Sequence, residues 1–148
     1  MNILKIKKLL LASVLLVFPT SIFAGSGHYH YDGPDISGAK IKIFGPWLAP
    51  EDESFRDVLS IFEKETGASV EYGGSDEFEQ IINIDCKAGN PADIAVFPQP
   101  GLAANIAATG CLAPQGNDLK QMVLDDYAAG QSWVDLTTYA DANGKDQF

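Results

Sequence analysis

The sequence predicts an α/β protein built on an open, mostly parallel sheet with flanking helices. Between residues 40 and 110, three short β-rich segments alternate with three segments of helical periodicity. Glycine or proline lies at each junction, and residues 93–97 form an almost continuous apolar run, as buried parallel strands do. Successive strand–helix units joined by right-handed crossovers produce such a sheet.

The first unit covers residues 40–67. Residues 40–44 (KIKIF) alternate and then become apolar, which predicts a strand entering a sheet. After a break at residues 45–50, the acidic residues 51–53 favour the positive N-terminus of a helix. Gly67 supplies a left-handed C-terminal stop. The apolar positions at i, i+3, i+4 and i+7, which predict one buried helix face, are Phe55, Val58, Leu59 and Phe62.

The second unit repeats this order. Residues 68–72 predict a short strand, which Gly73 and Gly74 interrupt. Ser75 or Asp76 is expected to cap the following helix, with Glu79 in capping-box register to Asp76. The predicted buried face of this helix consists of Phe78, Ile81, Ile82 and Cys86.

The third unit places the strand 93–97 before a helix over residues 102–108 that stops at Gly110. Further on, Asn143 and Gly144 predict a tight turn, with Gln147 and Phe148 starting the return segment. A fourth helix is predicted from the spacing of Leu119, Met122, Val123 and Tyr127.

The N-terminus has the layout of a secretory signal peptide. Three lysines within residues 5–8 precede an apolar run over residues 9–18, and Ala24 is the expected cleavage position. The apolar run is too short to span a membrane, which takes roughly 20 residues. We therefore predict a cleaved signal at residues 1–24 and export to the periplasm.

The exported part is strongly acidic, with seven basic residues against twenty acidic ones, a net charge of −13. This charge argues against nucleic acids and anionic membranes as partners. Residues 25–39 are rich in glycine and serine and predict a flexible lead-in. Because its two histidines, His28 and His30, are too few for a zinc site, we expect no metal and no cofactor.

Ligands of open α/β sheets bind outside the carboxyl ends of the strands. Three predicted loops lie there, at residues 45–50, 73–76 and 97–101. Together they carry an indole ring, a hydroxyl, a carboxylate and an amide, a set suited to stacking on a sugar and hydrogen-bonding its hydroxyls. The candidate ligand-binding residues are Trp47, Ser75, Asp76 and Gln99.

Two of the candidates also have a structural alternative, whereas Gln99 has no obvious structural role. Trp47 can simply cover the end of the sheet, and Asp76 can serve only as a helix cap. A nucleotide site is disfavoured because Gly73 and Gly74 lack phosphate-loop spacing and no lysine follows them. We predict no enzyme, since both histidines precede the fold and no carboxylate pair stands out.

Four motifs then resemble one family in the same order along the chain. They are IFGPW at residues 43–47, FEKETG at 62–67, GSDEFEQ at 74–80 and PADIAVFPQPG at 91–101. The chain resembles the extracellular solute-binding proteins of sugar ABC importers, in the maltose-binding-protein-like group, and within it the periplasmic α-glucoside-binding branch.

The resemblance implies a two-lobed protein that traps a sugar and delivers it to inner-membrane ABC permease subunits, acting as a monomer. Residues 40–148 would form a partial N-terminal lobe, and the four candidate residues would line its side of the cleft. Such proteins are much longer, so we expect an N-terminal fragment, truncated and impaired, with an exposed apolar sheet edge. The alternative is a stand-alone small exported module that binds a carbohydrate or a protein.

The predicted fold also bears on the two cysteines. With strand order 2-1-3, the second and third helices lie side by side on one face of the sheet. Cys86 lies near the end of one helix and Cys111 just beyond the end of the other. We predict a disulfide between them in an oxidising compartment, and the alternative is two buried thiols.

Overall fold

The computed structural model describes residues 30–148. The predicted signal peptide at residues 1–24, its cleavage position and His28 lie outside the described residues.

A three-stranded parallel sheet forms the centre of the fold. Its middle strand β1 spans Lys40–Gly45, with β2 (Ser69–Gly74) on one side and β3 (Ile94–Ala95) on the other. The β1–β2 register runs in step from Lys40 opposite Ser69 to Gly45 opposite Gly74. The predicted fold class and the strand order 2-1-3 are confirmed.

Helix α1 spans Glu51–Thr66 and packs against β2. Its first turn carries three acidic residues at the positive end of the helix dipole, and it ends at Gly67, which has a φ of 70°. The N–H of Gly67 donates to the carbonyl oxygen of Glu63, as predicted for a glycine stop. One member of the predicted buried face is wrong, because Val58 points to solvent.

Helix α2 spans Phe78–Ala88 and ends at Gly89, which has a φ of 69°. Its buried face follows the predicted spacing, with Phe78 and Ile82 each 1% exposed. These two side chains and Ile106 of helix α3 (Pro100–Ala107) form the centre of the hydrophobic core. The predicted side-by-side placement of the second and third helices is confirmed.

Strand β3 differs most from its prediction. The apolar run at 93–97 forms only a two-residue strand, and Ile94 is 48% exposed rather than buried on both faces. The reason is that β3 pairs with β1 on one side, and no other strand among residues 30–148 joins its second edge. The exposed apolar sheet edge expected for the chain is therefore present.

The C-terminal part contains two helices and a hairpin. The predicted fourth helix is present as α4 (Asn117–Asp126), but Leu119 and Met122 of its predicted apolar face are exposed, and Tyr127 lies just beyond its end. A further helix, α5 (Gly130–Leu136), was not predicted. The two remaining strands of the described residues are β4 (Tyr139–Ala140) and β5 (Asp146–Gln147).

The predicted turn at Asn143 and Gly144 connects β4 and β5, which pair antiparallel. Gly144 has a φ of 75°, a conformation that glycine adopts readily. The N–H of Asp141 donates to the carbonyl oxygen of Lys145, which closes the turn. This part of the sequence prediction is confirmed.

Cys86 and Cys111 are joined by a disulfide in the structure, with their Cα atoms 5.7 Å apart. Both lie partly buried against the core formed by α2 and α3. The bond connects the last turn of α2 to the segment that follows α3. It therefore cross-links the two helices that pack side by side on one face of the sheet.

The described part of the lead-in has specific contacts. The Tyr31 ring lies edge-on to Phe62 of α1, with the ring centroids 6.2 Å apart. The N–H of Gly38 donates to the carbonyl oxygen of Gly67 at 2.9 Å. These contacts attach residues 31–39 to the C-terminal end of α1.

Candidate functional site

The carboxyl ends of the three strands meet at one edge of the sheet. Gly45 lies opposite Gly74, and the N–H of Val96 donates to the carbonyl oxygen of Phe44 at 2.8 Å. The loops at residues 45–50, 73–76 and 97–101 therefore leave the sheet at the same edge, with the 45–50 loop in the middle. This arrangement is the one that open α/β sheets use for ligands.

The first two loops are in direct backbone contact. The N–H of Ser75 donates to the carbonyl oxygen of Gly45 at 3.0 Å, which extends the β1–β2 pairing beyond the strands. A Cβ atom at Gly74 would lie 1.9 Å from the carbonyl oxygen of Trp47. Only glycine allows this approach, so Gly74 has a steric role.

Trp47 is half-buried in the middle loop. Its ring packs against Phe55 of α1, with centroids 5.1 Å apart and planes inclined by 64°. The indole N–H has no hydrogen-bond partner in the described part of the chain. The ring therefore covers the end of the sheet, as the structural alternative expected, while part of its surface and its donor remain open to solvent.

The prediction that Ser75 or Asp76 caps α2 is wrong. The helix begins at Phe78 with Glu77 in the N-cap position, and no side chain caps it. Ser75 Oγ instead accepts from the N–H of Glu77 at 3.1 Å, which forms a local turn. The capping box between Asp76 and Glu79 is wrong because α2 starts one residue later than that motif requires.

Asp76 is exposed, and its carboxylate makes no hydrogen bond within residues 30–148. Gln99 is also exposed; it occupies the N-cap position of α3 in an extended conformation. Its side-chain amide makes no capping hydrogen bond, although its carbonyl oxygen accepts from the N–H of Ala103. No hydrogen bond joins Gln99 to the other three candidates.

Two residues that the sequence analysis did not select, Tyr72 and Arg56, lie directly behind Trp47. The Tyr72 hydroxyl hydrogen-bonds to the backbone of Trp47, 25 residues away in the sequence. The guanidinium of Arg56 lies 5.2 Å from the centroid of the Tyr72 ring. The only sequence signal for this contact is the presence of glycines at 45 and 74, where larger residues would obstruct it.

A large cavity lies elsewhere, beside the open edge of β3. It is a groove of about 890 Å³ between β3, α3, α5 and the β4–β5 hairpin. Its lining is mainly apolar and includes Ile94, Trp133 and Phe148, with Asp93 and Asp141 among the few charged groups. The groove runs along the β3 side of the sheet and was not predicted from the sequence.

Within residues 30–148 there is no group of three or more His, Cys, Asp or Glu side chains placed to hold a metal ion. No helix in the same range has the length and apolarity needed to cross a membrane.

A parallel sheet whose carboxyl-end loops carry an aromatic ring and unpaired polar groups defines a class of small-molecule binding domain. Comparison with known proteins narrows this class to periplasmic solute-binding proteins, which confirms the resemblance that the motifs predicted. No model of a protein family matches the chain, and no solved structure matches it.

Two relatives illustrate the similarity. The chain is 50% identical to the alpha-glucosides-binding periplasmic protein AglE of Rhizobium meliloti over 114 residues, which is 77% of this chain and 24% of that protein. It is 34% identical to the osmoprotective compounds-binding protein GgtB of Synechocystis over 108 residues, 70% of this chain and 25% of that protein. The chain therefore spans a quarter of the length of these relatives.

Proposed function

We propose that this chain forms one wall of the sugar-binding cleft in the substrate-binding component of an ABC importer, and that the sugar is an α-glucoside. The observation that carries the proposal is the meeting of three loops at one edge of the sheet, with Trp47 in the middle loop. The 50% identity to an α-glucoside-binding protein supports the choice of ligand.

The chemistry of the site suits a polyhydroxylated ligand. The indole of Trp47 offers an apolar surface for the C–H face of a pyranose ring and an N–H donor at its edge. The carboxylate of Asp76 accepts hydrogen bonds from sugar hydroxyls, and the amide of Gln99 both donates and accepts. Neither side chain has a hydrogen bond within the described residues, so both are available to a ligand. The Ser75 hydroxyl accepts from the N–H of Glu77, so its own proton remains available to donate to a sugar oxygen.

The proposal assigns binding without catalysis. His30 is exposed, and its charged neighbour is Glu65, with the Nδ1 and Oε2 atoms 3.9 Å apart. This pair lies at the C-terminal end of α1, whereas the candidate site lies beyond the N-terminal end of that helix. Within the three candidate loops, at residues 45–50, 73–76 and 97–101, Asp76 supplies the one carboxylate.

The proposal also includes export and delivery. The signal at residues 1–24, cleaved after Ala24, directs the chain to the periplasm, where the AglE relative is placed by its name. The partners are then a sugar and the permease subunits in the inner membrane, and the binding protein acts as a monomer. The acidic charge of the exported part fits a soluble carrier that does not adhere to nucleic acids or anionic lipids.

The test is a fluorescence titration of the chain beginning at Gly25, in two single-tryptophan variants. In Trp133→Phe the emission reports Trp47, and in Trp47→Phe it reports Trp133, which lies beside the groove. We expect maltose to change the Trp47 emission, with the β-linked cellobiose and the osmoprotectant glycine betaine as comparison ligands. Because one wall buries only part of a sugar, the expected affinity is millimolar or weaker.

Three outcomes are decisive. A saturable change at Trp47 with maltose, absent with cellobiose, supports an α-glucoside site. A response to glycine betaine alone would move the ligand to the class named for the second relative. A response confined to Trp133 would transfer binding to the groove and contradict the proposed site.

A further inference from the structure

Tyr72 lies in β2 and is 4% exposed, so its ring belongs to the core beneath the candidate site. The ring lies edge-on to Phe55 of α1, with centroids 5.2 Å apart and planes inclined by 81°. Arg56, the next residue of α1, also contacts Tyr72, because its Nη2 donates to the Tyr72 carbonyl oxygen at 3.1 Å. Arg56 is itself bound through Nε to Asp52 Oδ2 at 2.8 Å.

The hydroxyl of Tyr72 binds both backbone groups of one loop residue. It accepts from the N–H of Trp47 at 2.9 Å and donates to the carbonyl oxygen of Trp47 at 3.2 Å. The backbone of Trp47 has no other hydrogen-bond partner among residues 30–148. A single side chain thus satisfies the N–H and C=O of a loop residue that lies beyond the end of β1 and lacks a strand partner.

Two glycines make room for this contact. A Cβ atom at Gly45 would lie 2.8 Å from the Tyr72 hydroxyl oxygen, and one at Gly74 would lie 1.9 Å from the Trp47 carbonyl oxygen. Both distances are shorter than van der Waals contact, so side chains at these positions would separate the two groups. The two glycines at the strand ends and the Tyr72 hydroxyl therefore together determine the position of the Trp47 backbone.

The environment also favours the protonated hydroxyl that this geometry needs. Burial raises the pKa of Tyr72 above its ordinary value of 10.0, against an opposing effect of the hydrogen bond to Trp47. The phenol consequently keeps its proton throughout the physiological range. It can therefore donate to the Trp47 carbonyl oxygen throughout that range.

We propose that Tyr72 is the positioning residue of the binding site, which fixes the backbone of Trp47 so that the indole is held at the cleft edge before ligand arrives. This inference rests on the proposed function, because a fixed indole aids binding only if the indole contacts the sugar. Preorganisation of this kind improves affinity by removing the cost of ordering a loop on binding. Tyr72 itself is buried and does not touch the ligand.

The first test uses the unmodified chain and does not involve a ligand. Hydrogen exchange followed by NMR should show that the Trp47 amide is protected, because Tyr72 accepts its hydrogen bond. The amide of Leu48, which has no hydrogen-bond acceptor in the described chain, is the internal comparison. Equal exchange rates at Trp47 and Leu48 would overturn the proposal whatever the chain binds.

The second test removes only the hydroxyl. In a Trp133→Phe background, Tyr72→Phe should raise acrylamide quenching of Trp47 by about twofold, since a released loop exposes the indole. It should also weaken maltose binding about five- to tenfold, the effect of one lost buried hydrogen-bond arrangement. Tyr127→Phe is the matched control, because that ring is exposed and at the end of α4, far along the chain from the loops.

The outcomes separate the two proposals. If Tyr72→Phe leaves both quenching and maltose affinity at the values of the Tyr127→Phe control, the positioning role is wrong. If quenching rises in Tyr72→Phe but the parent chain binds no α-glucoside, the positioning of Trp47 stands and the proposed ligand fails. Arg56→Gln, which leaves the hydroxyl in place, should change the quenching less than Tyr72→Phe does; an equal or larger change would assign the positioning to Arg56 instead.

Discussion

The two flanks of the sheet, on the β2 side and on the β3 side, differ in how completely the chain pairs and covers the strands. On the β2 flank, β1 and β2 pair along their full lengths, and the loops that follow are joined through Gly45, Ser75 and the Tyr72 hydroxyl. On the β3 flank, two residues pair, Ile94 is exposed, and an apolar groove of about 890 Å³ runs beside the strand. One flank is self-contained, whereas the other presents an unpaired strand edge and an apolar groove.

This difference divides the candidate site. Trp47 and Ser75 lie on the self-contained flank, where the Trp47 N–H donates to the Tyr72 hydroxyl and Ser75 Oγ accepts from the N–H of Glu77. Gln99 lies at the start of α3, on the flank whose strand is open. We therefore expect the middle and β2 loops to keep their geometry in the isolated chain, and the 97–101 loop to depend more on its surroundings.

The largest expected effect comes from breaking the core that joins the flanks. Phe78 is 1% exposed, and its ring centroid lies 5.0 Å from that of Phe44 and 5.6 Å from that of Phe97. Phe78→Ala should lower the free energy of unfolding by about 4 kcal/mol through lost burial and the cavity left behind. Urea unfolding measures this, with the exposed Ile84→Ala on the same helix as the control; equal effects would contradict the assigned core.

The disulfide should rank second. Replacing Cys86 and Cys111 together by serine should lower the free energy of unfolding by about 3 kcal/mol, the chain-entropy effect of closing a loop of this length. The comparison is urea unfolding of the parent chain with and without reductant, since reduction should mimic the double variant and leave that variant unchanged. Free-thiol counts that do not change on reduction would show that the bond is absent in solution.

A smaller effect is expected at the open edge of β3. Exposed strand edges favour association between chains, and a charge on such an edge opposes it. Ile94→Lys should reduce concentration-dependent association in sedimentation velocity, while changing the free energy of unfolding by only about 0.5 kcal/mol. Val58→Lys, an exposed apolar position on α1, is the matched control. If both lysine variants reduce association equally, the β3 edge is not where chains meet.

The smallest effect concerns the β4–β5 turn. Hydrogen bonds from the N–H groups of Lys145 and Asn143 lower the pKa of Asp141 below its ordinary value of 3.8. A carboxyl with a lowered folded-state pKa stabilises the fold above its unfolded-state pKa, and this contribution disappears as the pH falls through the folded value. The Asn143 and Lys145 amide resonances should therefore titrate with a midpoint below pH 3.8, and Asp141→Asn should remove that titration. A midpoint above 3.8 would contradict the assignment.

Local patterns predicted most of the fold, and the failures have physical causes. The alternation at residues 40–44 and the glycine stop at Gly67 depend on neighbours in the sequence, and both agree with the structure. The apolar run at 93–97 indicates a buried strand, but burial depends on a neighbouring strand, which no local pattern supplies. Helix α5 was missed because its seven residues are too few for a periodicity to be recognised.

The candidate site divides in the same way. The loops were found because strand ends can be located from sequence and parallel strands share one carboxyl edge. The capping role of Asp76 failed, since the start of a helix is uncertain by one or two residues in any sequence pattern. Tyr72 was missed because its hydroxyl binds a residue 25 positions away, a contact that only the strand register creates.

The central claim is that the carboxyl edge of the sheet binds an α-glucoside, and the most direct measurement is an NMR titration of the isotope-labelled chain with maltose. The account predicts saturable amide shifts confined to residues 45–50, 73–76 and 97–101, at millimolar sugar, and none with cellobiose. Saturable shifts centred on the groove beside β3, or none at the three loops at the highest soluble maltose concentration, would contradict it.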